Sequence, residues 1–241
     1  MNTSQQSVKE WYSTNYKKLG ISSQRLYPNE ELCRFIGRTY NHHKLATKQQ
    51  HKILEVGCGS AGNLFMLSEQ GFDCTGLDIS SEAIHLSKCH MESRRLQAKF
   101  IEASMTSIPT PDNSYDLVVD VFSSNCLTLL EFKKYLHELT RVLTDSGKVF
   151  FYTPSKRSDA YLNSSPSSFI DSSTLSGIQR KNSPFYGNTY PFRFEHLSEF
   201  KSKLEDAGLT ATYAETTSRT YHNLSEYFEF ITVVAELSKK T

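Results

Sequence analysis

The sequence predicts an α/β protein with a doubly wound, mostly parallel sheet, and three observations predict it. Helical patterns alternate with short β-rich runs between residues 52 and 152, which implies parallel strands joined by crossover helices. The apolar run Ile53–Val56 enters a glycine turn, Gly57-Cys58-Gly59-Ser60-Ala61-Gly62-Asn63. A second short strand ends in an acid within Gly76-Leu77-Asp78-Ile79. Strand, glycine turn, helix and strand-end acid together build a pocket for a nucleoside-bearing cofactor.

Each element has a local justification. Glu30–Tyr40 carries Leu32, Phe35, Ile36 and Tyr40 at helical spacing, which predicts a helix before the core fold. Residues 41–50 are polar and read as a connector. The core then runs as strand Lys52–Val56, helix Asn63–Gln70, strand Cys74–Leu77 and helix Ser81–Arg94, with Ser80 or Ser81 as its cap. Strand Ala98–Glu102, strand Leu117–Val121, helix Phe132–Leu143 and strand Lys148–Tyr152 follow, with Asp145-Ser146-Gly147 as a tight turn. His196–Ala207 reads as a helix stopped by Gly208, and Thr210–Thr217 and Phe228–Ala235 are β-branched or alternating runs.

Two readings compete for the glycine turn. Gly57, Gly59 and Gly62 fit the G-x-G-x-x-G dinucleotide fingerprint, with Asp78 at about the distance of a ribose acid. A pyrophosphate wants bare backbone N–H groups at a helix N-terminus. Glu55, two residues before Gly57, would set a carboxylate against that anion. The same carboxylate suits a cofactor that carries positive charge.

The combination of Glu55, Gly57, Gly59 and Asp78 resembles motifs I and II of the class I S-adenosylmethionine-dependent methyltransferases. The family's third glycine is Ala61 here, or is displaced to Gly62. Ser114-Tyr115-Asp116-Leu117-Val118-Val119-Asp120 resembles the family's fourth strand, and Leu139–Phe151 its following helix, turn and fifth strand. The resemblance implies a Rossmann-like, mostly parallel seven-stranded sheet with an antiparallel C-terminal edge strand, a role that the last two β runs fit. It implies S-adenosyl-L-methionine as cofactor, with Gly57, Cys58, Gly59 and Asn63 in the binding turn and Glu55 near the methionine part. Asp78 would take both ribose hydroxyls and Ile79 would flank the adenine. Ser104 or the Met105 backbone stands where relatives place an acid against the adenine amino group. Asp120 and Val121 fall at the methionine end; for Asp120 a plain strand-end acid is the alternative reading. Phe122-Ser123-Ser124-Asn125 replaces the Asn-Pro-Pro-Tyr-type motif of the branches that modify adenine or glutamine amides, which leaves an O or N atom of a small molecule as acceptor.

Composition agrees with a soluble enzyme. The 241 residues are 38% hydrophobic and 22% charged, enough for one sizeable core. Residues 1–7 are polar, unlike a signal peptide, and no apolar run approaches the roughly 20 residues of a membrane span. A net charge of +1 gives no general drive toward nucleic acid or anionic membrane. Lys9, Lys17, Lys18, Arg25, Arg34, Arg38, Lys44 and Lys48 make the N-terminal part basic, which reads as a solvated helical face. The odd number of cysteines, five, without C-x-x-C spacing suits free thiols in a cytoplasmic setting. His85 and His90 are not on one helical face, and with Cys89 and the His42-His43 pair they predict no metal site.

The expected organisation is an N-terminal helical segment over 1–50, a cofactor-binding core over 51–154, a substrate-covering insertion over 155–195, and a C-terminal helix with two strands over 196–241. The insertion is serine-rich, broken by Pro166, Pro184 and Pro191, and carries Phe185, Tyr186, Tyr190, Phe192 and Phe194. A stretch this long is either functional or a loose polar loop. In small-molecule members of the family a leading aromatic segment closes the site, which makes Tyr12, Tyr16 and Arg25 candidates, Arg25 as a bidentate partner of the cofactor's carboxylate. The alternative is that Trp11, Tyr12 and Tyr16 pack a leading helix onto the sheet. Tyr12, Tyr186, Tyr190, Arg193 and His196 are expected around the acceptor. Of these Tyr190 and His196 are the candidates for catalysis, and His196 as a general base stands against His196 as a plain helix-start residue. The other readings of the whole are an NAD-type oxidoreductase and a methyltransferase-like domain that binds without catalysis. Oligomeric state is not legible.

Overall fold

The computed structural model describes residues 3–20 and 26–239. Seven strands form one sheet: β1 (Lys52–Val56), β2 (Asp73–Asp78), β3 (Lys99–Glu102), β4 (Tyr115–Val121), β5 (Leu143–Pro154), β9 (Leu209–Tyr221) and β10 (Glu226–Leu237). Their order is β3-β2-β1-β4-β5-β10-β9. The first five run parallel, and β10 is antiparallel to both β5 and β9. Strand order reverses between β1 and β4, so a crevice opens beyond their carboxyl ends, where ligands of such sheets bind.

The helices are α1 (Thr3–Leu19), α2 (Glu30–Tyr40), α3 (Leu45–Lys48), α4 (Gly62–Glu69), α5 (Ser81–Ser93), α6 (Leu129–Val142), α7 (Asp159–Leu162) and α8 (Leu197–Asp206). Two apolar layers cover the sheet. One joins Leu32, Phe35 and Ile36 of α2 and Leu64 and Leu67 of α4 to Ile53, Leu117 and Phe150. The other joins Phe132, Leu136 and Leu139 of α6 and Phe200 and Leu204 of α8 to Leu54, Val118, Phe151 and Val233. Sequence periodicity sets these faces: α6 buries Phe132, Tyr135, Leu136, Leu139 and Val142 at three- and four-residue steps.

Local chemistry fixes the boundaries. Ser80 caps α5 by accepting from the Ala83 N–H. Helix α6 starts at Leu129, three residues before the expected start, because Thr128 and Glu131 form a reciprocal capping box. Strand β5 also starts early: Leu143 pairs with Tyr115, then the register shifts before Lys148 meets Leu117, so the expected turn over 145–147 is an irregularity inside one strand. The connector over 41–50 contains the one-turn helix α3.

The insertion over 155–195 is structured. It holds α7 and a small antiparallel sheet of β6 (Phe169–Asp171), β7 (Thr174–Leu175) and β8 (Phe192–Arg193). It rests on the end of the β9–β10 hairpin, where Phe185 and Phe194 pack on Phe228 with ring centroids 5.0 and 6.1 Å apart. Buried glutamates of β10 fasten it: Arg180 donates to Glu226 at 2.9 Å and Ser155 to Glu229 at 2.7 Å. Among the described residues no helix is long and apolar enough to cross a membrane.

Candidate active site

A cavity of about 340 Å³ lies beyond the carboxyl ends of β1, β2 and β4, roofed by α1 and the insertion. Gly57 and Gly59 form its floor with left-handed backbone, φ +63° and +54°. Gly57 cannot carry a side chain there, since a Cβ would sit 2.6 Å from Ser123 Oγ and 2.7 Å from Ser123 Cβ. Ala61 also has positive φ, 63°, at the N-cap of α4. A left-handed cost of about 1–2 kcal/mol is accepted there, and the methyl is wholly buried in the core.

Asp78 ends β2 inside the cavity and is buried. Its Oδ2 accepts from the Gly59 N–H at 3.0 Å and its Oδ1 from the Ser80 N–H at 2.9 Å, so the acid fixes the glycine turn. Burial raises its pKa, with the Ser80, Gly59 and Ile79 backbone bonds pulling the other way. Beside it the apolar wall is Ile79, Ala103 and Met105. Ser104 also lines the cavity; its hydroxyl donates to Gln5 Oε1 at 3.1 Å, which ties α1 to the turn after β3.

Several expected residues lie behind the cavity rather than in its lining. Glu55 is buried and accepts from Asn63 Nδ2 at 2.6 Å, and Asn63 Oδ1 accepts from the Asn29 N–H at 2.8 Å. This chain braces the glycine turn against the start of α2. Cys58 points away to Ser87, its Sγ 3.8 Å from Ser87 Oγ. Asp120 is buried and its Oδ1 accepts from Ser124 and Ser123 N–H groups at 3.1 and 3.3 Å, which shapes the loop after β4; Val121 beside it does line the cavity. Burial raises the Asp120 pKa despite the Ser124 and Ser123 hydrogen bonds and the nearby Arg193.

The roof is aromatic. Trp11, Tyr12 and Tyr16 of α1 line the cavity with Tyr190 and Phe185 of the insertion. Tyr12 and Tyr190 share a hydrogen bond between their hydroxyls, 2.8 Å apart. Helix α1 is also held to α5: Ser13 donates to Glu82 at 2.6 Å and Lys17 pairs with it at 2.9 Å. The Ser13 hydrogen bond, and Lys17 after it, hold the Glu82 carboxyl well below the usual range. Arg25 lies outside the described residues.

Three expectations for the acceptor end need correction. Arg193 is fully buried and absent from the lining: its guanidinium pairs with Glu195 at 2.7 Å, donates to the Ser124 and Leu127 carbonyls at 2.7 and 2.8 Å, and lies 3.7 Å from the Phe132 ring centroid. It positions the loop after β4 from behind. Tyr186 is 54% exposed, and Phe185 takes the place facing the cavity. His196 is exposed at the start of α8, its Nδ1 2.9 Å from Ser198 Oγ, and is no lining residue.

Phe122, Ser123, Cys126, Leu127, Phe185, Gln5 and Val8 line the cavity though the sequence assigns none of them to the site. Phe122 had one local signal, its place directly after β4. It holds φ +58°, unusual for a bulky residue, and this turns its ring onto Phe185 at 4.8 Å. Of the histidines set aside in the sequence, His90 is buried with Nδ1 2.7 Å from the Ser60 carbonyl oxygen. Among the described residues no group of three or more His, Cys, Asp or Glu could hold a metal.

A glycine-floored crevice at the switch point of a doubly wound sheet, with a buried strand-end acid and an apolar wall, defines a protein that binds a nucleoside-bearing cofactor. Residues 53–147 match the family model described as a methyltransferase domain. The chain is similar to the eEF1A lysine and N-terminal methyltransferase of Bos taurus, 28% identical over 141 residues that cover 58% of this chain and 17% of that protein. It is also similar to the fatty-acid O-methyltransferase of Mycolicibacterium smegmatis, 30% identical over 136 residues that cover 54% of this chain and 47% of that one. The matched region thus spans less than half of either relative. The crystal structure of PH0226 protein from Pyrococcus horikoshii shares the fold, with a TM-score of 0.64, 20% identity, and coverage of 93% of this chain and 99% of that one.

Proposed function

We propose that the chain transfers a methyl group from S-adenosylmethionine to an oxygen or nitrogen atom of a small-molecule acceptor. The observation that carries this is the buried Asp78 carboxylate, set in one cavity with the Gly57 and Gly59 floor and the aromatic roof. The residues present fit the cofactor. Asp78 offers a carboxylate to a ribose diol, Ile79, Ala103 and Met105 offer an apolar slot for a purine, and Ser104 closes its edge. Glu55, Cys58, Asn63 and Asp120 act from behind, by bracing the turns that make the floor. When bound, the cofactor supplies an already activated methyl group, so the chain's task is to align the acceptor and exclude water.

The roof supports a small acceptor, because α1 and the insertion close over the crevice through the Tyr12–Tyr190 pair. Tyr12, Tyr16 and Tyr190 stand at the acceptor end, with Phe122 and Phe185 in place of Tyr186 and Arg193. Calorimetric titration with S-adenosylmethionine, S-adenosylhomocysteine and NAD tests the reading. Saturable binding of the first two, lost in Asp78→Ala, is the expected result; binding of NAD alone would overturn it. Label from the methyl group is then followed into candidate acceptors, and its absence from every acceptor would favour a binding domain without catalysis.

A further inference from the structure

The acceptor end of the cavity limits what can be methylated there, an inference that rests on the methyltransferase reading above. Its wall is made of rings. Trp11 lies 4.9 Å from Tyr12 and 5.1 Å from Tyr190, and Tyr12 lies 5.2 Å from Tyr190, between ring centroids. Phe122 and Phe185 form a second stacked pair on the same cavity.

With Tyr16 stacked on Tyr12 at 6.0 Å, the polar groups among these rings are three phenols and a thiol. The Tyr12 and Tyr190 hydroxyls bond to each other, and Cys126 interacts with both. Burial pushes all three phenols well above their usual range and the Cys126 thiol up to about 12, so all four keep their protons at neutral pH. A general base has to have lost its proton at the working pH. Asp78, the carboxylate in the lining, is bound to the Gly59 and Ser80 N–H groups at the glycine floor. Among the described lining residues, the ring wall therefore offers neutral donors and acceptors and no group to deprotonate an alcohol.

We propose that the acceptor is an uncharged amine nitrogen on an apolar body, and that the ring wall holds the cation formed from it. The nitrogen lone pair forms the new N–CH3 bond, the S–CH3 bond breaks, and its electron pair stays on sulfur. The positive charge moves from sulfur to nitrogen. A tertiary amine leaves no proton to dispose of, which matches a wall without a base. The faces of Trp and Tyr rings attract a desolvated cation within about 6 Å, an effect of roughly tenfold or more in affinity.

The chain has one tryptophan, Trp11, and it is in this wall, so intrinsic fluorescence reports on the site directly. The full chain saturated with S-adenosylhomocysteine is titrated with benzyltrimethylammonium, with its uncharged carbon isostere neopentylbenzene, and with phenylacetate. The cation is expected to bind at least about tenfold more tightly than the isostere, and phenylacetate to give no saturable change. Tyr12→Phe and Tyr190→Phe should keep the preference and Tyr12→Leu and Tyr190→Leu should lose it. In turnover, labelled methyl is expected in N,N-dimethylbenzylamine and not in 4-ethylphenol, with a rate that rises with pH along the amine's own titration. Equal binding of the isostere, tighter binding of phenylacetate, or methylation of the phenol alone would overturn the proposal while the methyltransferase reading stands. Absence of S-adenosylhomocysteine binding by calorimetry would overturn both.

Discussion

Arg193→Met is expected to destabilise the fold by about 4 kcal/mol, because removing one partner of a buried ion pair costs roughly 3–5 kcal/mol. Glu195, fully buried, would lose the guanidinium and be left with its ion pair to Lys203 at 2.5 Å. The Ser124 and Leu127 carbonyls would lose donors at 2.7 and 2.8 Å, a further penalty of about 1–3 kcal/mol for each that stays dry. Methionine can still cover the Phe132 face, which offsets part of this. Against a total stability of about 5–15 kcal/mol, the loss is a large fraction. With a urea slope of about 2 kcal/mol per M, the unfolding midpoint should fall by about 2 M. Arg193→Met combined with Glu195→Gln should recover roughly half of that, since the stranded charge is removed while both carbonyls still lack the guanidinium donor. An Arg193→Met midpoint within about 0.3 M of the parent would refute the placement of this guanidinium as the buttress of the loop after β4.

Gly57→Ala meets both a left-handed backbone and Ser123 Cβ at 2.7 Å, so a loss of about 2–4 kcal/mol and a melting temperature about 5–10 °C lower are expected; a shift under about 2 °C would contradict the geometry. Asp120 has a folded pKa raised above its unfolded value, chiefly by burial. The native state therefore holds that proton more tightly, and the Asp120 contribution to stability falls as pH rises from about 4 through the folded pKa. Asp120→Asn should be as stable as the parent or more so at pH 7.5 and show a shallower decline from pH 4.5, read from urea midpoints; a parent that gains on the variant with rising pH would refute this. Glu82 has the opposite sign: its pKa is lowered by Ser13 and then Lys17, so its contribution is present above the ordinary carboxylate range and lost as pH falls. Because Lys17 is largely exposed, Glu82→Gln should loosen α1 by only about 1 kcal/mol, a roughly fivefold faster amide exchange over α1 at neutral pH; unchanged exchange would show that the Glu82 bonds do not hold α1.

The parts legible in the sequence are those whose causes are local. Gly57, Gly59 and Asp78 follow from a strand that turns under a helix within a few residues, and the structure sets all three in the cavity lining. The capping box of Thr128 and Glu131 is equally local, and its spacing marks the start of α6. Arg193 was misplaced because a cation among aromatics reads the same in a pocket and in a core. The deciding signal was Glu195, two residues on and thus on the same face of an extended segment, which turns the arginine inward.

The acceptor end was not legible for a different reason. Its central bond joins Tyr12 to Tyr190, 178 residues apart, and no local pattern encodes that meeting. It arises because the β9–β10 hairpin overruns the sheet and offers Phe228 and Phe230 as a platform. The insertion packs on that platform and delivers Phe185 and Tyr190 to the roof, while Glu82, Ser80 and Ser104 hold α1 in place from the other side. The cofactor end is thus built by the turns of the parallel core, and the acceptor end by two appended segments that do not share an element with it. Under the proposed function, substitutions in the roof would change which acceptor is held while the glycine floor and Asp78 stay as they are, so acceptor choice would be set by residues 3–19 and 185–190.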